Sequence, residues 1–288
     1  MPISESTVIR NIALLTHSLP GVGKALLMAE KISSQLTDAN TRHRIFKGDW
    51  PAQFAEFTEI FIVGGDGTLN YFINQYPGIT LPLAIFNGGT GNDFHWLLYG
   101  NKSLTEQLNI VLSQNPKPID IGKCNGRYFI NGAGIGFSGA VAMALSGKNK
   151  TSGKSAYFIT ILKKIFTYRS RFYTLIAGER IINGKKLFID ISNGQRAGGG
   201  IHIAPESSAD DGLFDIIIAD AINAFERLKY LPVIEKGKHL KAPVIQHFRT
   251  NKISIEGNKP IQFHLDGEYY SAQKLDIELL PAALNFLY

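Results

Sequence analysis

Two glycine-rich loops limit more than any other feature what this chain can fold into. Each starts where a short apolar run ends and leads straight into a helix-like segment. The first, Gly64-Gly65-Asp66-Gly67-Thr68-Leu69-Asn70, is entered from residues 59–63, and the second, Asn87-Gly88-Gly89-Thr90-Gly91-Asn92-Asp93-Phe94, from residues 81–86. A strand-to-helix turn built of glycine leaves backbone N–H groups uncovered and aims them, with the positive end of the helix dipole, at an anion. In an open parallel sheet both loops emerge at the carboxyl edge, where ligands bind. The pair therefore reads as a nucleotide cleft, with phosphate as the natural anion. Thr68 and Asn70 add side-chain hydrogen bonds, Asp66 can hold Mg2+ directly or through water, and Thr90 and Asn92 can reach phosphate or ribose. The plain alternative is a pair of tight turns in which Asp66, Thr68, Asn92 or Asp93 only cap helices. Neither loop has the spacing of a Walker A sequence or of the G-x-G-x-x-G dinucleotide fingerprint.

The surrounding segments alternate in the same way. A strand over residues 8–16 leads into Gly21-Val22-Gly23-Lys24 and a helix over 25–36; a strand over 41–46 is followed by a helix near 51–57. Helices over 68–76, from Asn92 onward and over 103–114 complete the series. Four successive strand-to-helix units predict a largely parallel sheet covered by helices. Asn115-Pro116-Lys117-Pro118 then stops helix formation and marks a boundary. Beyond it, Asn125-Gly126 and Asn183-Gly184 each divide two apolar runs and predict two-residue hairpins. Further strands are expected over 213–219, 252–256, 261–265 and 275–279, with helices over 155–166 and 224–235. The expected fold class is α/β: a nucleotide-binding α/β domain of residues 1–117, to which the tail 280–288 returns, and a mainly antiparallel, sandwich-like β domain of residues 118–279 for the substrate.

Composition narrows the function classes. A chain of 288 residues with 44% hydrophobic content can fill a core in each domain. No run approaches eighteen uninterrupted apolar residues, and the start, residues 1–10, lacks the pattern of a signal peptide. The lone Cys124 excludes a disulfide scaffold and suits a reducing, cytoplasmic compartment. Thirty basic against 24 acidic residues, a formal charge of +6, favour an anionic partner. Lys148, Lys150, Lys154, Lys163, Lys164, Arg169 and Arg171 form one basic region, and Lys236, Lys238, His239 and Lys241 another; each is either a solvated face or a surface for anionic headgroups. The histidines show no paired metal spacing, which speaks against zinc, and His264 is a strand-surface residue or a base. No aromatic-basic motif of a nucleic-acid binder is present.

Taken together, GGDGTLN, NGGTGNDF, the central Gly132-Ala133-Gly134-Ile135-Gly136-Phe137, Ala204-Pro205 with Asp211-Gly212-Leu213, and the late Asp266-Gly267-Glu268 resemble the diacylglycerol kinase catalytic-domain family. Its soluble bacterial lipid kinases, themselves similar to sphingosine and ceramide kinases, are the nearest in pattern, and the match runs through nearly the whole chain in the expected order. The resemblance implies transfer of the γ-phosphoryl group of ATP to a lipid alcohol such as diacylglycerol, with Mg2+, in a cleft between the two domains. It implies that Gly64, Gly65, Asp66, Gly67, Thr68, Leu69, Asn70 and Thr90 bind the nucleotide. It further implies that Asp266 and Glu268 are the catalytic carboxylates, and that the Asp211 carboxylate with the carbonyls of Ser208 and Leu213 holds a structural Mg2+. If residues 266–268 stay extended, period two places both carboxylates on one face; an ordinary Asp-Gly turn is the alternative. A lipid substrate further implies peripheral contact with an anionic membrane surface, while a homodimer is left open. Three positions depart from the family pattern: His17-Ser18-Leu19-Pro20-Gly21 stands for Asn-Pro-x-Ser-Gly, Ser138 for an acid and Tyr71 for a glutamate. Rival readings are a NAD kinase-like enzyme and a catalytically weak nucleotide- and lipid-binding protein, the latter encouraged by Ser138.

Overall fold

In the computed structural model, which describes residues 9–17, 23–146 and 153–288, the first half runs β1 (Asn11–Thr16), α1 (Gly23–Asp38), β2 (Arg42–Lys47), β3 (Glu59–Gly64), α2 (Asp66–Gln75), β4 (Leu83–Asn87), α3 (Asp93–Tyr99) and α4 (Leu104–Ser113). The start of the chain and Gly21-Val22 lie outside the described residues. The strands β1, β3 and β4 are almost wholly buried, as continuous apolar runs must be when helices cover both faces of a sheet. They pair in parallel, β1 with β2 and β3, and β3 with β4. Helix α1 buries Ala25, Ala29, Ile32 and Leu36, a helical stripe laid on the strands. Helix α4 opens with a capping box between Ser103 and Glu106.

Residues 51–57 are not helical. Trp50, Phe54 and Phe57 have helical spacing, but their rings pack against Phe72, Tyr76 and Phe46 while the backbone runs as an irregular connection. Its carbonyls are satisfied from outside: the Tyr76 hydroxyl donates to Pro51 and the Asn11 amide to Glu56. Aromatic packing thus replaces the helix that spacing suggested.

The second half runs β5 (Lys117–Cys124), β6 (Arg127–Phe129), β7 (Gly132–Gly136), α5 (Phe137–Leu145), α6 (Gly153–Thr167), β8 (Arg171–Ala177), β9 (Arg180–Ser192), β10 (Phe214–Asp220), α7 (Ala224–Glu235), β11 (Ile245–Thr250), β12 (Lys252–Leu265) and β13 (Glu268–Phe286). Its pairings are antiparallel. The turn at Asn125-Gly126 joins β5 to β6 as expected. The other hairpin does not turn at Asn183-Gly184, which lies within β9; it turns at Gly178-Glu179, with Ala177 opposite Arg180. Gly178 takes the left-handed conformation (φ +59°) there, while Gly184 faces Tyr173 across the strands. The runs over 252–256 and 261–265 are one long strand with an irregularity between Glu256 and Ile261. Patterning also missed β7, α5 and β11, because glycine-rich β7 and the small-residue α5 carry little periodic signal.

Long strands make the second core. Strand β9 pairs with β8 over Arg180–Lys186 and with β7 further on, and β12 does the same with β8 and β7. The four strands close a ring around Ile135, Tyr173, Leu175, Ile189, Ile255 and Phe263. Strands that change partners along their length turn two faces of a sandwich into one hydrogen-bonded surface.

The carboxyl-terminal tail belongs to the other core. Leu284, Phe286 and Leu287 pack with β1, β3 and β4, the Phe94 and Phe286 rings lie 5.4 Å apart, and the buried Tyr99 hydroxyl donates to Leu287 at 2.7 Å. Phe286 pairs with Leu83, so β13 links both halves into one sheet. Among the described residues no helix is long and apolar enough to cross a membrane.

Candidate active site

The two glycine loops lie against each other at the carboxyl ends of β3 and β4. The Gly88 amide donates to the Gly64 carbonyl at 3.0 Å. A Cβ at Gly89 would stand 2.5 Å from Gly65 Cα, so glycine is what lets the backbones touch. Asn92, left-handed at φ 57°, closes the second loop on itself: its side-chain oxygen accepts from the Gly89 amide and its nitrogen donates to the Gly89 carbonyl, both at 2.9 Å. The Asp66 carboxylate then ties the loops together by accepting from the amides of Asp93 (3.1 Å) and Phe94 (2.9 Å), capping α3 across the cleft.

This geometry sorts the expected nucleotide residues. Gly65 precedes α2, and the first-turn amides at Asp66 and Gly67 have no acceptor within the helix, which suits an anion. Gly67 and Thr90 are exposed and Thr68 is half-buried. Leu69 is fully buried in the core and its amide bonds the Gly65 carbonyl at 3.1 Å, so it shapes the helix rather than a ligand. Asn70 points the other way, toward the second half. Its amide donates to Asp266 at 2.8 Å and to the Tyr128 carbonyl at 3.2 Å.

Asp266 and Gly267 are not extended. With φ of 47° and 89° they form the two-residue turn between β12 and β13, where Leu265 pairs with Glu268. The two carboxylates therefore have different surroundings. That of Asp266 accepts from the amides of Ile130, Asn131 and Gly132, each at 2.9 Å, besides Asn70. Burial pushes its carboxyl up, against the opposing pull of those hydrogen bonds. An acceptor so fully engaged is suited to locking the turn onto α2 and β7, and less to removing a proton. Glu268, two residues on, is half-buried at the start of β13. His264 accepts from the Gly267 amide at 3.2 Å and burial holds it neutral, down to about 4, so it belongs to the turn. His264 and Ser138 both crowd Gly134, placing the departure at 138 beside this histidine.

The acidic loop at 208–213 folds around its own partners. Ser208 Oγ donates to Asp210, and Asp211 accepts from the Leu213 amide at 3.1 Å while lying 2.9 Å from Arg249 Nη2. Arg249 also bonds Asp215 and the Glu206 carbonyl. A cation at Asp211 would compete with a guanidinium already there. Among the described residues no group of three or more acidic, histidine or cysteine side chains could hold a metal. Cys124 is buried, its thiol pushed up to about 12, and inert.

A third glycine loop escaped the sequence reading. Gly198, Gly199 and Gly200 all have positive φ, and the Gly199 amide donates to Asp93 Oδ2 at 2.7 Å, with Arg196 Nε 3.6 Å from Asp93 Oδ1. The run of three glycines was the available signal. Nearby Asp190, 5% exposed, has its carboxyl pushed up to about 7 by burial, partly opposed by the Ser192 hydroxyl. Unfolded, it titrates near the ordinary carboxylate range. Between those values the folded form keeps a proton that the unfolded form has lost, so stability falls as pH rises from about 4 to about 7, with the full penalty above. Asp190→Asn is expected to raise stability at pH 8 by on the order of 2–4 kcal/mol and to flatten the pH profile, read by thermal melts from pH 4 to 8. An unchanged profile would refute this.

Comparison with known proteins settles the kinship. Residues 13–124 match the model of the diacylglycerol kinase catalytic domain, and residues 132–288 that of the YegS C-terminal NAD kinase beta sandwich-like domain. A protein of Shewanella frigidimarina named "Probable lipid kinase YegS-like" is 31% identical over 79% of this chain and 75% of its own length. The chain belongs to the bacterial diacylglycerol kinase family. Another relative, a diacylglycerol kinase of Bacillus subtilis, is 30% identical over 76% of this chain and 73% of its own. A Bacillus anthracis structure described as a diacylglycerol kinase has the same fold, with a TM-score of 0.71, 21% identity and 97% of both chains covered. Within this diacylglycerol kinase family member, the two matched models meet between residues 124 and 132, next to the amides that grip Asp266.

Proposed function

We propose that this protein is a lipid kinase that transfers the γ-phosphoryl group of ATP to a lipid hydroxyl, diacylglycerol or a related alcohol. The observation that carries the proposal is the junction at Asp266. The turn of the β-rich half, two residues before Glu268, is hydrogen-bonded through Asp266 to Asn70 in α2, the helix that the first glycine loop opens. In this reading residues 1–117 with 280–288 form the nucleotide unit, built on its parallel strands, and residues 118–279 form the lipid unit. The amides of Gly65, Asp66 and Gly67, with the hydroxyls of Thr68 and Thr90, hold the phosphates. Gly64, Leu69, Asn70 and Asn92 keep the loops in shape. Glu268 takes or orients the proton of the attacking alcohol, and Asp266 fixes the turn that carries it.

Mg2+ fits best as an ion brought by the nucleotide, because it keeps its waters and binds one or two carboxylates plus phosphates. Asp66 and Glu268 would be its carboxylate ligands, and the bound ion would neutralise phosphate charge. For Ser208, Asp211 and Leu213 a structural ion fits only if the pair between Asp211 and Arg249 opens.

Incubation with labelled ATP, Mg2+ and a total lipid extract tests the proposal, with a parallel incubation containing NAD. Label in a lipid product is expected. Label in NAD alone would select the NAD kinase-like reading, for which the description of the matched carboxyl-terminal model gives some support. Binding of ATP and lipid with no label in either would select the catalytically weak binding protein, and Ser138→Asp is then the variant to try.

A further inference from the structure

The acidic loop at 208–213 carries the carboxylate that a structural cation would need, yet protein groups already engage it. Asp211 Oδ1 accepts from the Leu213 amide at 3.1 Å, and Oδ2 lies 2.9 Å from Arg249 Nη2. The neighbouring Asp210 accepts from the Ser208 hydroxyl. Mg2+ demands a near-ideal octahedron of oxygens and gives up its waters reluctantly. An ion on Asp211 would have to displace a guanidinium of its own sign from the same carboxylate.

Strand register is what puts the guanidinium there. In the antiparallel pair of β10 and β11, Arg249 stands directly opposite Asp215, whose carboxylate is buried and also bonded to His247 Nε2. A buried carboxylate requires a partner, and Arg249 Nε approaches it at 3.3 Å. From that position Nη2 reaches Asp211 and, at 3.3 Å, the Glu206 carbonyl. One cation thus gathers oxygens from residues 206, 211 and 215, which is the task of a structural ion in a loop. A guanidinium can do it because its five N–H donors form a rigid fork and its charge is permanent.

The loop held in this way fastens distant parts of the chain. The Gly212 amide donates to Asp120 Oδ2 at 2.7 Å, the Asp120 amide donates to the Ala209 carbonyl at 2.7 Å, and the Ala282 amide donates to Asp120 Oδ1 at 2.8 Å. Strand β5, the acidic loop and the carboxyl-terminal tail therefore meet at Asp120. We propose that Arg249 takes the place of the structural cation that the family resemblance implies, so that this junction is stable without a divalent ion. Any Mg2+ that the protein uses then arrives with the nucleotide.

Thermal melts of the full chain without nucleotide or lipid test this, and their outcome does not depend on the kinase reading. The parent is expected to melt at the same temperature in EDTA and in millimolar MgCl2. Arg249→Met, which keeps the length of the side chain and removes its charge, should melt about 5–10 °C lower, because Asp211 and Asp215 lose the cation between them. It should regain part of that loss in MgCl2 only while Asp211 is intact, since the freed oxygens then face an ion of the kind the guanidinium replaced. A saturable rise of the parent's melting temperature with Mg2+ that Asp211→Asn abolishes would overturn the proposal. Parental melting of Arg249→Met would do the same. A loss in Arg249→Met that Mg2+ leaves untouched would reduce Arg249 to an ordinary ion pair and overturn the replacement as well.

Discussion

Glu268→Gln is expected to slow lipid phosphorylation by about two to four powers of ten, the usual contribution of a positioned general base, while ATP affinity and melting temperature stay near the parental values. The neighbouring carboxylate should behave differently. Asp266 accepts four hydrogen bonds at 2.8–2.9 Å, two on each oxygen. An asparagine keeps one acceptor oxygen and turns an NH2 group toward the other pair of donors. Asp266→Asn is therefore expected to cost on the order of 2–4 kcal/mol of stability, and to lose activity because the turn carrying Glu268 shifts. Thermal melts alongside labelled-phosphate transfer separate the two roles. Near-parental turnover in Glu268→Gln would remove it as the base; a dead Asp266→Asn with an unchanged melting temperature would give that role to Asp266.

The second large effect is expected at the contact of the glycine loops. Gly89→Ala puts a methyl group 2.5 Å from Gly65 Cα and 2.9 Å from its amide nitrogen, positions fixed by backbone and unable to yield as a side-chain tip would. The loops must part by about an ångström, and a displacement of that size at a phosphate site costs about a hundredfold in binding or rate. Gly65→Ala, whose Cβ meets Gly89 Cα at 3.0 Å, should be milder. Calorimetric titration with MgATP ranks the two. Equal and parental affinities in both variants would mean that the nucleotide does not bind between these loops.

Much of the first half was legible in the residues themselves. Strands 59–63 and 81–86 are continuous apolar runs ending in glycine loops, and local chemistry alone places such loops between a strand and a helix. The family motifs likewise carried the kinship. The helix expected over 51–57 failed because Trp50, Phe54 and Phe57 spend their helical spacing on aromatic packing across the chain. The hairpin expected at Asn183-Gly184 failed because either Gly178 or Gly184 can supply the φ a turn needs, and only pairing with β8 and β12 selects Gly178.

The candidate site was readable as a set of residues and not as a set of roles. Asp66, Asn70, Asn92 and Asp266 are polar groups beside glycines, and a linear sequence assigns them all to the ligand. Asn92 closes its own loop on Gly89, and folding turns the other three toward partners from distant segments: Asp66 to the amides at the start of α3, Asn70 to the Asp266 carboxylate in the β12–β13 turn, and Asp266 to the amides of Ile130, Asn131 and Gly132 where β6 leads into β7. The register of that turn separates Asp266 from Glu268, two residues apart and unlike in environment. The sequence by itself determined the local geometry, since glycine, apolar runs and caps act over a few residues. Which polar atoms are left for a ligand was decided only by the tertiary structure, because buried donors and acceptors first find partners in the protein, and those of Asp66, Asn70 and Asp266 come from 27 to 196 residues away.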